Sequence, residues 1–256
     1  LKDVGKAQVF EATPPFKLIK TLDVGPIANH VNLVNNANGS FAYITVGGLN
    51  QVQVFRTDTF EKVSTIAVGN LPHGIWPSGD GTRIYVGLEN ADAFAVIDTL
   101  TNKVIANIPI GQAPQAVAYV PKAVASGSGT DNLVPLGVAG QAVHLTLNDR
   151  GMNEDPAPTS VTLFNQGLTQ VLQAAVTGLE PKQAYTLALA ENMDGGGKLE
   201  PLATFMTNPA GSAIVNTVGP IRQIVQNDVP EQRRYLVVVR GKPDQLGELK
   251  QVQVSR

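Results

Sequence analysis

The sequence predicts an all-β fold, a partial β-propeller of about two full blades followed by a β-sandwich, and three observations carry that prediction. Residues 55–87, FRTDTFEKVSTIAVGNLPHGIWPSGDGTRIYVG, restart at Ile97 as IDTLTNKVIANIPIGQAPQAVAYVP. Gly25, Gly69 and Gly111 close three copies of one phrase, 44 and 42 residues apart, and Tyr43 and Tyr85 recur at 42, the spacing of a four-stranded blade. The 25 glycines and 17 prolines separate short runs of alternating apolar and polar residues, the period of a strand with one buried face.

Each strand follows from that alternation. Residues 7–10 and 17–24 read as the third and fourth strands of a blade. A full blade follows at 30–34, 41–46, 51–55 and 62–68, and a second at 74–77, 83–87, 93–98 and 103–109. Residues 115–120 read as the innermost strand of a further blade. The turns Ser78-Gly79-Asp80-Gly81 and 98–102 have the short polar and glycine residues that tight turns use. A closed ring takes about four to eight blades, so residues 1–121 are expected to form an incomplete toroid, completed by missing blades or by another chain in an oligomer.

The repeat stops after Pro121. Residues 122–132 (KAVASGSGTDN) have the composition of a flexible linker. Within 133–256, eight strands are expected at 142–147, 160–164, 170–179, 184–190, 202–207, 212–218, 235–240 and 248–254, a pattern that predicts a sandwich. The run Asp194-Gly195-Gly196-Gly197 predicts a hairpin turn.

Composition narrows the function classes. Charged residues are 16% of the chain, the net charge is −2, and the 19 Lys and Arg are scattered, which argues against a nucleic-acid or membrane-surface partner. The absence of cysteine excludes disulfides, thiolate nucleophiles and Cys-ligated metals. No apolar run approaches the roughly 18 residues of a membrane-spanning helix. The chain begins at Leu1 inside a repeat, as expected of a processed or partial product.

The phrase VGNLPHGIWPSGDGTRIYVGLENADAFAVIDTLTNKVIANIPIGQAP resembles the YVTN-type β-propeller repeat. The resemblance is carried by Gly69, Pro72-His73-Gly74, Asp80-Gly81, Tyr85-Val86, Val96-Ile97-Asp98, Thr101-Asn102-Lys103-Val104 and residues 108–111. In the preceding copy Asn29-His30-Val31 replaces Pro-His-Gly. The resemblance implies a multi-bladed, exported protein, periplasmic, secreted or on the cell surface, with no fixed activity. In the second half, Val176-Thr177-Gly178-Leu179-Glu180-Pro181 with Tyr185 is similar to fibronectin-type and Ig-like sandwiches, in which such a turn leads into a strand whose tyrosine closes a corner.

The candidate chemistry is sparse. His30 and His73 read as corresponding positions at the start of successive inner strands, where both imidazoles would face the channel and bind copper or another transition metal. Gln115 takes that place in the third copy. The alternative is that these histidines belong to the repeat's turns. Glu89, Asn90 and Asp92 are expected at the same channel mouth, as ligand-binding groups or as solvated loop tips. Asp98 and Asp80 read as turn residues, and Trp76 is expected to pack between blades. Asp149, Asn153, Glu154 and Asp155 concentrate oxygens suited to calcium, without EF-hand spacing; an ordinary acidic loop is the alternative. No nucleophile, phosphate-loop or zinc-hydrolase motif is present. Two functions are therefore expected from different classes: a non-enzymatic extracytoplasmic binding or assembly protein, with a protein or cell-surface polymer as partner, or a metal-dependent redox or hydrolytic propeller using the channel histidines.

Overall fold

In a computed structural model of the protein, residues 1–127, 141–152, 155, 157–166 and 168–254 are described. They fall into two compact units, one made of Leu1–Lys2, Lys6–Val24 and Ala28–Gln141, the other of Asp3–Gly5, Gly25–Ile27 and Ala142–Arg256. The expected linker at 122–132 lies partly outside the described residues.

The first unit is a partial propeller. Strands β1 (Lys6–Phe10) and β2 (Leu18–Asp23) form an antiparallel pair. A four-stranded meander follows, β3 (Ala28–Asn36), β4 (Gly39–Val46), β5 (Gln51–Arg56) and β6 (Lys62–Ala67), and then a second, β7 (Pro72–Pro77), β8 (Arg83–Leu88), β9 (Ala93–Asp98) and β10 (Lys103–Pro109). Period-two alternation places Tyr43, Val52 and Val54 on one face of the first meander, where they meet Ile75, Ile84, Val86 and Ile97 of the second in one buried core. The opposite face of the first meander, Ile44, Val46 and Phe55, packs with Leu22 and Val24 around the β1–β2 pair. Each fully buried branched side chain in such a layer stabilises by about 1.5–3 kcal/mol.

A repeated lock joins one blade to the next. Asn50 and Asp92 follow one-turn 3-10 segments, Gly47–Leu49 and Glu89–Ala91, and both adopt left-handed backbone, with φ of 51° and 50°. Asn50 Oδ1 accepts the Leu71 amide at 3.0 Å, and Asp92 Oδ1 accepts the Ala113 amide at 3.1 Å. Leu71 and Ala113 have positive φ themselves, as does Ile27 at the matching position. Left-handed backbone costs about 1–2 kcal/mol per residue, and the side-chain bonds to those amides offset part of it.

Residues 115–120 take part in no strand ladder, contrary to the expected strand. An inner strand's partner is the second strand of its own blade, and residues 121–127 form turns and bends instead. The segment is held by stacking of Tyr119 on Tyr85, ring centroids 5.9 Å apart. Trp76 corrects another expectation. It is 43% exposed, because it shares the face of β7 that a following blade would cover, opposite to buried Ile75.

The second unit contains all eight expected strands: β11 (Val143–Asp149), β12 (Thr159–Gln166), β13 (Thr169–Val176), β14 (Ala184–Ala190), β15 (Leu199–Met206), β16 (Ala213–Val218), β17 (Tyr235–Lys242) and β18 (Gln245–Gln253). They make one antiparallel sheet in the order β15-β14-β17-β18-β11-β12-β13-β16. The sandwich is this sheet folded over on itself, so that Leu147, Val161, Leu163 and Leu172 share a core with Tyr185, Leu187, Leu189 and Val238. The fold is nearly closed, since Thr217 of β16 donates to the Leu202 carbonyl of β15 at 3.5 Å. The Tyr185 hydroxyl accepts the Glu180 amide at 3.3 Å and closes the corner before β14. A short helix, Ile221–Val225, was not expected; its apolar i and i+4 residues Ile221 and Val225 are buried, the spacing that puts both on one helix face.

Candidate functional site

Four of the channel candidates form one chain of contacts. The rings of His30 and His73 lie 4.9 Å apart between centroids, tilted by 55°. His73 Nδ1 is 2.8 Å from the Gln115 carbonyl oxygen. Gln115 Nε2 donates to Glu89 Oε1 at 2.8 Å. Since a carbonyl only accepts, Nδ1 of His73 carries the proton and Nε2 is left as the lone-pair nitrogen. Burial, the His73 ring and Lys2 all hold the His30 imidazole below its ordinary pKa, so it is neutral at pH 7.

The histidines are neighbours without being repeats of each other. Ala28 pairs with Val46 and Val31 with Ile44, while Pro72 pairs with Leu88 and Ile75 with Val86, each pair of steps spanning the same bulge. Asn29 therefore corresponds to His73, and His30 to Gly74. A side chain at Gly74 is impossible without movement, because a Cβ there would sit 2.7 Å from the Gln115 carbonyl oxygen. His30 occupies the equivalent, roomier place one blade earlier. Thr45, which drew no attention in the sequence, ties the two strands together. Its hydroxyl accepts the His30 amide at 3.0 Å and donates to the His73 carbonyl at 2.7 Å. An inward-facing threonine in an otherwise apolar strand is the signal that points to it.

Glu89, Asn90 and Asp92 are buried rather than solvated. The amides of Glu89 and Asn90 bond the Leu71 and Asn70 carbonyls, and Asp92 is occupied as the lock described above. Asp98 and Asp80 each hold a turn. Asp98 Oδ1 accepts the amides of Leu100 and Thr101, and Asp80 Oδ1 accepts the Ser78 hydroxyl and the Thr82 amide. No group of three or more His, Asp or Glu suited to a metal ion occurs among the described residues.

Of the calcium candidates, Asn153 and Glu154 lie outside the described residues. Asp149 Oδ1 accepts Gln251 Nε2 at 3.0 Å, within a buried network in which Gln251 also bonds Thr159 and the Thr177 carbonyl. Asp155 Oδ1 accepts the Ala157 amide.

A feature that no motif announced is an apolar groove of about 380 Å³ in the propeller unit. It is lined by Ala7, Val9 and Phe10 of β1 and by Val31, Leu33, Ala42 and Ile44 of β3 and β4, with Thr57 and Phe60 also in the lining. Val31 and Leu33 are each 59% exposed. A second, charged pocket of about 300 Å³ lies in the sandwich between Asp149, Glu180, Glu248 and Lys250, where Lys250 pairs with Glu248 at 2.7 Å.

No helix among the described residues is long and apolar enough to cross a membrane. No family model matches the chain, and no curated protein does. Among solved structures, the chain is similar to the hydrazine synthase of Kuenenia stuttgartiensis, at 15% identity over 92% of this chain and 70% of that one, with a TM-score of 0.42. It is similar at 8% identity to the dihydro-heme d1 dehydrogenase NirN, solved in complex with DHE, over 83% of this chain and 35% of that one, TM-score 0.39. A functionally unknown protein from Desulfotomaculum acetoxidans is 11% identical over 97% and 79%, TM-score 0.29. The propeller assignment rests on the two successive four-stranded meanders and the sequence repeat that encodes them.

Proposed function

We propose that the protein is an extracytoplasmic recognition and assembly module, non-enzymatic, that binds a protein or cell-surface polymer through the open faces of its blades and through its sandwich. The observation that carries this reading is the apolar groove beside Val31 and Leu33, since a contiguous exposed apolar surface in a polar-rimmed molecule marks a binding site. The YVTN-type repeat and the Ig-like or fibronectin-like corner support it as resemblances, and they are the basis for an exported location. Cross-linking mass spectrometry in native extract tests the reading. Cross-links to other polypeptides are expected from Lys6, Lys17 and Lys20, which lie in or next to β1 and β2, and are expected to be lost with Val31→Asp plus Leu33→Asp. Cross-links indifferent to that double substitution would contradict it.

A second reading has its own observation, the contact between His30 and His73. A histidine whose Nδ1–H is held by a carbonyl is oriented to offer Nε2 to a metal, and His30 is held neutral beside it. Two imidazoles are an incomplete set for copper or zinc, so this reading needs further ligands from another blade or chain. Elemental analysis of wild type against His30→Ala plus His73→Ala decides it: equal transition-metal content in both removes the reading.

A further inference from the structure

We propose that the charged pocket of the sandwich is the binding site of a small zwitterion, an α-amino acid whose ammonium group meets Asp149 and whose carboxylate meets Arg150. The site lies wholly within the sandwich and does not depend on the propeller groove.

The pocket is built where two fixed parts of the sheet face each other. On one side β11 meets β18, with Asp149 opposite Gln251 and the Arg150 amide donating to the Lys250 carbonyl at 2.8 Å. On the other is the corner before β14, where Gly178, Leu179 and Glu180 line the space with Tyr185. Tyr185 is fully buried in the core and its hydroxyl holds the Glu180 amide, so this wall is set by packing. A volume of about 300 Å³ stands at the small end of ligand pockets. It suits a single small molecule.

Charge selects the kind of molecule. Three carboxylates, Asp149, Glu180 and Glu248, and two cations, Arg150 and Lys250, line the pocket. Lys250 is taken by Glu248 at 2.7 Å and lies 3.8 Å from Glu180, while Arg240, outside the lining, pairs with Glu180 at 3.0 Å. Asp149 and Arg150 are left without an ion pair among the described residues. With Arg240 counted, cations and carboxylates balance, so the pocket has no overall preference for a lone cation or a lone anion. The imbalance is local, negative at Asp149 and positive at Arg150.

Both groups are presented to a ligand. Asp149 Oδ1 accepts Gln251 Nε2 at 3.0 Å, and the fully buried Gln251 is itself held by Thr159 and the Thr177 carbonyl. That network fixes the carboxylate while Oδ2 takes no hydrogen bond among the described residues. A Cβ at Gly178 would stand 4.0 Å from Oδ2, so glycine there keeps its approach open. Glu248, whose carboxyl is lowered first by its bond to Lys250, is lowered further by the Arg150 charge, which puts that guanidinium on the pocket side. A guanidinium donates two parallel bonds to a carboxylate, and an ammonium donates to Oδ2, both of them charge-assisted. A ligand with one charge leaves the other group unmet, and a neutral polyol meets neither charge.

Nitrogen–proton NMR titration of the full chain at low salt tests the proposal with L-alanine as the probe. Saturable shifts are expected at the amides of Arg150, Gly178 and Lys250. Methylammonium and acetate, each carrying one of the two charges, should bind at least about 10-fold more weakly, and added salt should weaken L-alanine because exposed charges are screened. Arg150→Gln should weaken it at least about 10-fold with an unchanged melting curve, since Arg150 is exposed. Asp149→Asn, which keeps an oxygen for Gln251, should do the same. No saturation by about 10 mM L-alanine, or binding indifferent to Arg150→Gln, would overturn the proposal. So would glucose binding as tightly as L-alanine, which would make the pocket a polyol site, or calcium chloride alone saturating the same shifts at lower concentration, which would make it a cation site.

Discussion

His73 Nδ1 lies 2.8 Å from the backbone carbonyl of Gln115, and this contact fixes both a tautomer and the path of the chain after the last complete blade. Nitrogen NMR should find Nδ1 of His73 protonated. His30 should titrate below 6.5, lowered by burial first and by the His73 ring second. His73→Ala should move the His30 pKa upward toward the ordinary value. The sign for stability follows: a histidine whose folded pKa is depressed contributes fully above its unfolded pKa, and that contribution is lost as pH falls through the folded value. A His30 pKa unmoved by His73→Ala would contradict the pair.

Gly74→Ala is expected to destabilise by about 1–3 kcal/mol, the range for overpacking a fixed interior. The new methyl would meet the carbonyl of Gln115 and the backbone of Ala116, neither of which rotates away. The 115–120 segment should lift, and the Tyr85–Tyr119 stack should weaken, readable by near-ultraviolet circular dichroism. Gly79→Ala is the control, since its nearest atom is Tyr119 Cε1 at 3.6 Å.

Tyr43→Phe removes a hydroxyl that is buried between blades and donates to Asn102 Oδ1 at 2.6 Å. A net cost of about 1–2 kcal/mol is expected, seen as a lowered midpoint in denaturant with an unchanged slope. Burial, with the Asp98 charge second, pushes the phenol up to about 12. Absorbance at alkaline pH should show one tyrosine ionising late, and that late transition should be missing from the variant.

Acid stability is expected to follow the turn carboxylates. The Ser78 hydroxyl, then the Thr82 amide and hydroxyl, lower Asp80 to about 2 from 3.8, and the Thr101 amide leads the lowering of Asp98. A carboxyl with a depressed folded pKa stabilises above its unfolded pKa and loses that stabilisation as pH falls through the folded one. Denaturation midpoints should decline between about pH 3.8 and 2, and less steeply for Asp80→Asn. Parallel curves for wild type and variant would contradict the assignment.

The blades were legible because period-two alternation and turn residues are local signals, and the repeat supplied a second reading of each strand. The sheet continuity of the sandwich was not, since β11 meets β18 only at Leu147, Asn148 and Asp149, residues about a hundred positions from their partners. The site was read one residue out of register. Both inner strands carry the same bulge, so the 44-residue step from Gly25 to Gly69 aligns Asn29 with His73, and matching the two histidines to each other overrode that signal. The groove was hidden for another reason: it exists where β1 lacks a neighbour, and strand pairing is a property of the fold.

Hydrogen exchange with mass spectrometry on the full chain tests the open first blade most directly. Amides of Gln8–Phe10 in β1, which pairs with β2 alone among the described residues, should exchange far faster than those of the matching Gln53–Phe55 in β5, which lies between β4 and β6. Equal protection of the two strands in the protein alone would contradict the account, because it would mean that the edge of β1 is already paired.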